Sequence, residues 1–190
     1  MKKIIRHLLL WTILLLPYFG LYIVYQWYQD QLTNAHKANI ILISKETLDL
    51  KLINYKGQEL LHAPVAIGLN KGNKQEKGDM RTPEGVFKIT QVQDSKEWKH
   101  DFNDGHGNIK GAYGPYFIRL NIPGHKGIGI HGTHDPGSMR KRITEGCIRL
   151  KNEDLEKLVP FISEQTIVII TPGLKDLEYN NPACSSIIDL

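Results

Sequence analysis

The stretch NIILISKETLDLKLI, residues 39–53, decides the fold class. Asn39 to Ser44 is a short apolar run, and Thr47 to Ile53 alternates apolar with polar residues, the period of a strand with one face in a core. Lys45-Glu46 falls between them as a hairpin turn. The same signal continues outward. Glu59 to Gly68 reads as a third strand bent at Pro64, and a polar, glycine-containing loop fills Leu69 to Gly78. Thr82-Pro83-Glu84-Gly85 marks a turn before a strand from Val86 to Thr90. Tyr116 to Leu120, Ile128 to Gly132, the run around Cys147 and Thr166 to Thr171 read as further strands.

One helix stands out. Lys151 to Leu158 has Asn152 as N-cap, acids in the first turn, and Leu155, Leu158 and Val159 on one face. Residues 91–115 form a polar, glycine-rich segment too long for an ordinary connection, which is read as a substrate-facing lid. The expected architecture is therefore mainly β, a sandwich or closed barrel with one or two short helices.

The chain begins differently. MKKIIRH is basic, and residues 8–28 contain no charged side chain. A membrane-spanning helix needs roughly 20 mainly apolar residues. The positive flank is expected on the cytoplasmic side, with everything after Asp30 outside. A cleaved signal peptide fits less well, because the residues after the run offer no small-residue cleavage site. The expected organisation is an anchor over residues 1–29, a linker over 30–37, a globular domain over 38–171 and an accessory tail over 172–190.

Composition narrows the function. Hydrophobic residues make up 41% of the chain, enough for a core. A net charge of +4 without a dense basic stripe does not point to nucleic acid. Two cysteines, Cys147 and Cys184, are too few for a disulfide framework.

Chemistry-bearing residues concentrate in GIGIHGTHDPGSMRKRITEGCIRL, residues 127–150. A thiolate is a strong nucleophile, and an imidazole beside it can take its proton. Cys147 and His131 are the candidates. The Gly132 carbonyl can orient the imidazole without any carboxylate. The N–H groups of Gly146 and Cys147 can form an oxyanion hole. Arg149, two residues past Cys147, shares its face on a strand and can grip a carboxylate. Two other readings of these residues stay open. Cys147 can be a small buried hydrophobe, and His131, His134, Asp135 and Cys147, with His125 nearby, are competent metal ligands.

These residues resemble the catalytic domain of the L,D-transpeptidases, the YkuD-type family. His131-Gly132 followed by Thr144-Glu145-Gly146-Cys147-Ile148-Arg149 is similar to the family's signature, and GDMRTPEGVF at residues 78–87 is similar to an upstream family element. The resemblance implies Cys147 as nucleophile, His131 as general base and acid, Gly132 as imidazole orienter, and Arg149 and Thr144 on the substrate. It implies no metal and no cofactor. The implied substrate is a peptidoglycan stem tetrapeptide, cleaved before a terminal D-Ala and passed to an amine. The alternatives are transfer to water, as in an L,D-carboxypeptidase or endopeptidase, and a non-catalytic peptidoglycan-binding module. The pattern departs at Glu145, where the family often has His; an anion there works against thiolate formation.

Overall fold

A computed structural model describes residue 11 and residues 15–29, 39–102, 105 and 107–180. The chain divides into two units, Met1–His36 and Lys37–Leu190. In the first, residues 15–29 form helix α1, whose large apolar side chains, among them Leu16, Leu21 and Trp27, are exposed. Among the described residues no helix is long and apolar enough to cross a membrane. The basic start, apolar residues 8–10 and 12–14, the linker residues 30–37 and Cys184 lie outside the described residues.

In the second unit the strands are β1 (Ile40–Ser44), β2 (Asp49–Ile53), β3 (Glu59–Pro64), β4 (Ile67–Gly68), β5 (Gly85–Asp94), β6 (Lys99–Asp101) and β7 (Asn108–Lys110). They continue with β8 (Tyr116–Asn121), β9 (Gly129–His131), β10 (Arg142–Thr144), β11 (Ile148–Arg149) and β12 (Ile167–Thr171). Helices α2 (Asn152–Leu158) and α3 (Leu174–Asn180) flank β12 in sequence. The β1–β2 hairpin falls where the alternation places it, with one adjustment. The turn takes Lys45 to Leu48, with Leu48 at φ +54 and its N–H donating to the Ser44 carbonyl, so β2 starts at Asp49 rather than Thr47.

Eight strands form one mixed sheet in the order β11-β9-β8-β5-β12-β1-β2-β3. Its two edges meet. Ala66, two residues past β3, exchanges both backbone hydrogen bonds with Arg149 of β11, at 2.8 and 2.9 Å. The sheet thus rolls toward a closed form, with β4 pairing β10 across the junction, and is not two separate facing sheets. Closure removes the exposed edges that invite pairing with other chains.

The core follows from the alternation. Ile41 and Ile43 of β1, Leu50 and Leu52 of β2, and Val168 and Ile170 of β12 point to one side, where Leu155 and Leu158 of α2 join them. Each such side chain stabilises the fold by about 1.5–3 kcal/mol when buried.

Two readings need correction. Asn152 is not the N-cap of α2: Lys151 occupies that position, and no side chain caps the helix. The Asn152 Oδ1 instead accepts the Thr133 N–H at 2.7 Å, a tertiary bond that fixes the chain just after His131. The segment after Pro172 also does more than trail. Its helix α3 carries Asp176, fully buried, which pairs with Lys45 at 3.1 Å and with Arg142.

Candidate active site

Register places the chemistry. β9 runs between β8 and β11, with His131 opposite Arg149 on one side and Phe117 on the other. Side chains in register share a face, and Cys147 precedes Arg149 by two residues, so it joins that face. His131, Cys147 and Arg149 line a cleft of about 1010 Å³. The structure thus brings the three residues that the sequence reading grouped to one cleft.

His131 is tightly held. Its side chain stacks on Phe117 with centroids 5.7 Å apart and meets the Tyr113 ring edge-on at 4.9 Å. Its Nδ1 lies 2.6 Å from the Gly132 carbonyl. That acceptor takes the Nδ1 hydrogen, so a neutral ring keeps its free lone pair on Nε2. Burial, with Arg149, His100 and His134 nearby, pushes the imidazole down to about 3, against the opposing pull of the Gly132 carbonyl. A side chain at position 132 has no room, because it would run into Asn152 Oδ1 and the backbone of Gly114.

Cys147 is partly exposed and has no disulfide. Its thiol donates to the Gly127 carbonyl at 3.5 Å. Burial pushes it up to about 11, with Glu145 adding to the rise and Lys74 and Arg149 opposing it. The resting pair is thus a neutral thiol and a neutral imidazole. No hydrogen bond joins Cys147 to His131 here; both open onto the same cleft.

The turn ahead of Cys147 is built by hydroxyls. Thr144 Oγ1 donates to the Cys147 carbonyl at 2.6 Å and accepts the Gly146 N–H at 3.2 Å. Thr144 is buried, so its hydroxyl holds the loop from within. The Gly146 N–H is therefore engaged, whereas the Cys147 N–H has no partner among the described residues. Thr82, from the GDMRTPEGVF run, accepts the Gly68 N–H at 2.8 Å and donates to the Gly146 carbonyl at 3.0 Å. Gly146 sits at φ +124, and a Cβ there would lie 2.7 Å from the Arg81 carbonyl oxygen. The upstream run thus clamps the nucleophile loop.

Arg149 is 5% exposed. One Nη1 bond reaches Ser138 Oγ at 3.1 Å, its guanidinium lies 5.4 Å from the Phe102 ring, and its Nε has no partner. A buried guanidinium with donors unspent and no acidic partner in contact is suited to an incoming carboxylate.

The described residues between 91 and 115 include the end of β5 and the paired strands β6 and β7. From this segment His100, Phe102 and Tyr113 line the cleft, which single-sequence patterning did not single out. Among the described residues no group of three or more His, Cys, Asp or Glu could hold a metal. His134 stacks on Phe102 at 5.2 Å, and Asp135 accepts the Gly137 N–H in a turn.

Comparison with known proteins follows this geometry. A family model described as the L,D-transpeptidase catalytic domain matches residues 38–170. YqjB of Bacillus subtilis, which bears an L,D-transpeptidase name, is 29% identical over 140 residues, 73% of this chain and 74% of that protein. YkuD of Bacillus licheniformis, similarly named, is 34% identical over 92 residues, 48% of this chain and 46% of that protein, so the match spans about half of that relative. Among solved structures, the helical cell shape determining protein Pgp2 of Campylobacter jejuni gives a TM-score of 0.55 at 22% identity, covering 80% of this chain and 60% of Pgp2. The catalytic domain of the E. faecium L,D-transpeptidase gives 0.52 at 19% identity, covering 70% of this chain and 97% of that domain. At such identities these two likenesses carry the fold.

Proposed function

Because the chain belongs to the L,D-transpeptidase catalytic domain family, we propose that it is a cysteine-dependent peptidoglycan L,D-transpeptidase. The observation that carries the reading is the His131 Nδ1 contact with the Gly132 carbonyl, in a cleft that also holds Cys147. It orients an imidazole toward base chemistry without a carboxylate.

In the proposed reaction, Cys147 Sγ attacks the carbonyl of the L-centre that precedes the terminal D-Ala of a stem tetrapeptide. The thiol proton passes to His131 Nε2 as the C–S bond forms, so no isolated buried charge arises before attack. The Cys147 N–H faces the developing oxyanion. The tetrahedral intermediate collapses to a thioester and expels D-Ala, whose amine takes the proton from His131. A second amine then attacks the thioester and loses its proton to His131. The C–S bond breaks, and the thiolate takes that proton back. Arg149 pairs with a carboxylate of the stem, and Thr144 holds the loop against which the stem lies.

We further propose that residues 1–29 anchor the chain in the membrane, with residues 30–37 as linker and the catalytic domain on the extracytoplasmic side. The uncharged run at residues 8–28 and its basic flank support this. A protease-protection assay on sealed membrane vesicles reads the orientation; extraction of the full chain by high salt alone would refute the anchor.

Incubation with a carbapenem, followed by intact-mass and peptide mapping, tests the acyl-enzyme. One adduct on Cys147, lost in Cys147→Ala, is expected. No adduct, together with full muropeptide turnover by Cys147→Ala, would sink the proposal. Mass separation of muropeptide products distinguishes cross-linked dimers from trimmed monomers, and so amine from water as acceptor.

A further inference from the structure

Glu145 puts a carboxylate two residues ahead of the candidate nucleophile, and it lines the same cleft. An anion close to a thiol opposes its ionisation. The carboxylate has a partner from elsewhere in the chain. His100 of β6 brings its Nε2 to 3.1 Å from Glu145 Oε2. The His100 ring is itself seated, edge-on to Phe102 with centroids 4.5 Å apart and 5.5 Å from Tyr113. Tyr113 in turn packs on His131 at 4.9 Å. A chain of rings thus runs from the imidazole of the site to the partner of Glu145.

Of the cations facing the thiol, Lys74 is held by the Asp79 carboxylate at 2.7 Å, whereas Arg149 has only the neutral Ser138 hydroxyl as hydrogen-bond partner among the described residues. The charged and titratable groups facing Cys147 are Glu145, Lys74 and Arg149, with Tyr113 close by. Those facing His131 are Arg149, His100 and His134. Of all these groups, His100 is the one in direct contact with the Glu145 carboxylate.

We propose that His100 is a positioning residue for the chemistry at Cys147: it holds the Glu145 carboxylate in one place and offsets its charge. The inference rests on Cys147 as nucleophile but needs no peptidoglycan. With His100 in place, its imidazole holds the carboxylate by a hydrogen bond and draws charge away from the thiol. With His100 removed, Glu145 presents an uncovered negative charge and thiolate formation is suppressed.

The test is the rate of Cys147 alkylation by iodoacetamide in the full chain between about pH 6 and 10, read on the Cys147 peptide by mass spectrometry so that Cys184 does not intrude. His100→Ala is expected to slow alkylation about threefold across this range, in which the thiol, pushed up to about 11, is mostly protonated throughout. Glu145→Gln is expected to speed it relative to the wild type. The double variant should match Glu145→Gln alone, because His100 acts through that carboxylate. His100→Lys, which sets an ammonium against the carboxylate, should restore at least the wild-type rate. Thermal unfolding checks that each variant folds, and Glu145→Gln tests the idea even where His100→Ala does not fold. Unchanged rates in His100→Ala, or equal slowing with and without Glu145, would overturn the proposal. So would a Glu145→Gln thiol no faster than the wild type. Absence of a carbapenem adduct beside an intact alkylation pattern would instead count against the transpeptidase reading alone.

Discussion

The Nδ1 hydrogen of His131 is held by the carbonyl of Gly132, 2.6 Å away and one residue along the same chain. The orienting group of the site is therefore backbone, with no charge to stabilise an imidazolium. The imidazole stays neutral in the native state, pushed down to about 3 by burial, against about 6.5 in an unfolded chain. Between these values the unfolded chain binds a proton that the native protein refuses. Stability therefore falls on acidification through this window, by up to about 1.4 kcal/mol per pH unit from this group. Urea unfolding at pH 7.5 and pH 5 checks it. The wild type should lose about 2 kcal/mol more than His131→Gln across that interval, and equal losses would contradict the assignment.

Thr82 joins two loops through one hydroxyl. Its Oγ1 serves the Gly68 N–H and the Gly146 carbonyl, and the residue is fully buried. Thr82→Val keeps the shape and leaves both backbone groups without that partner, at about 1–3 kcal/mol for each buried group. The unfolding midpoint should drop, and the rate of Cys147 acylation should fall with it. Thr82→Ser retains the hydroxyl and should keep most of both. Gly146→Ala is expected to be worse than Thr82→Val, because its Cβ would meet the Arg81 carbonyl at 2.7 Å.

Arg149 separates stability from function. Its guanidinium is buried, with one hydrogen bond, to a neutral hydroxyl, and an unpartnered Nε among the described residues. Burying a cation without a charged partner works against the fold. Arg149→Met should leave thermal stability unchanged or raise it, while lowering kcat/KM for a carboxylate-bearing stem peptide at least tenfold. A substrate amidated at that carboxylate should lose the difference between variant and wild type. An Arg149→Met protein that melts several degrees lower and keeps its kcat/KM would show a purely structural arginine.

The strands of this fold were legible because period-2 patterning reports burial directly. Leu50 and Leu52 lie on the buried face of the alternation over Thr47 to Ile53, and Ile41 and Ile43 lie within the apolar run that precedes it. The candidates proposed for catalysis could be grouped from sequence because His131, Gly132, Gly146, Cys147 and Arg149 lie within one continuous segment. What escaped depends on contacts distant in sequence. Asn152 has the composition of an N-cap, yet its side chain serves Thr133, 19 positions away. His100 meets Glu145 across 45 positions, and no local pattern announces a partner that far off. Closure of the sheet rests on Ala66 and Arg149, two residues with no pairing signature of their own.

Asp176 is the clearest case of a long-range contact hidden in a segment read as a tail. Its two oxygens accept the Gly72 N–H at 2.7 Å and the Gly173 N–H at 3.1 Å while facing Lys45 and Arg142. Lys45 is fully buried and also meets Glu84 at 2.5 Å and the Gly72 carbonyl at 2.8 Å. The network ties α3 to the β1–β2 turn and to the loop ahead of β5, which carries the Thr82 clamp. Hydrogen bonds and cations hold the Asp176 carboxyl below the usual carboxylate range despite its burial. Because its native value is depressed, its stabilising contribution is present above the unfolded value near 4 and is lost as pH falls through the lower, native one. Asp176→Ala removes one of two anions from a buried lysine, a change that costs about 3–5 kcal/mol for pairs of this kind. Asp176→Asn keeps the N–H contacts in part and should cost less. Urea unfolding at neutral pH should rank wild type above Asp176→Asn above Asp176→Ala, with the gap between wild type and Asp176→Ala closing in acid. A chain ending at Pro172 should behave at least as poorly as Asp176→Ala; wild-type stability in that truncation would mean that α3 contributes nothing to the fold.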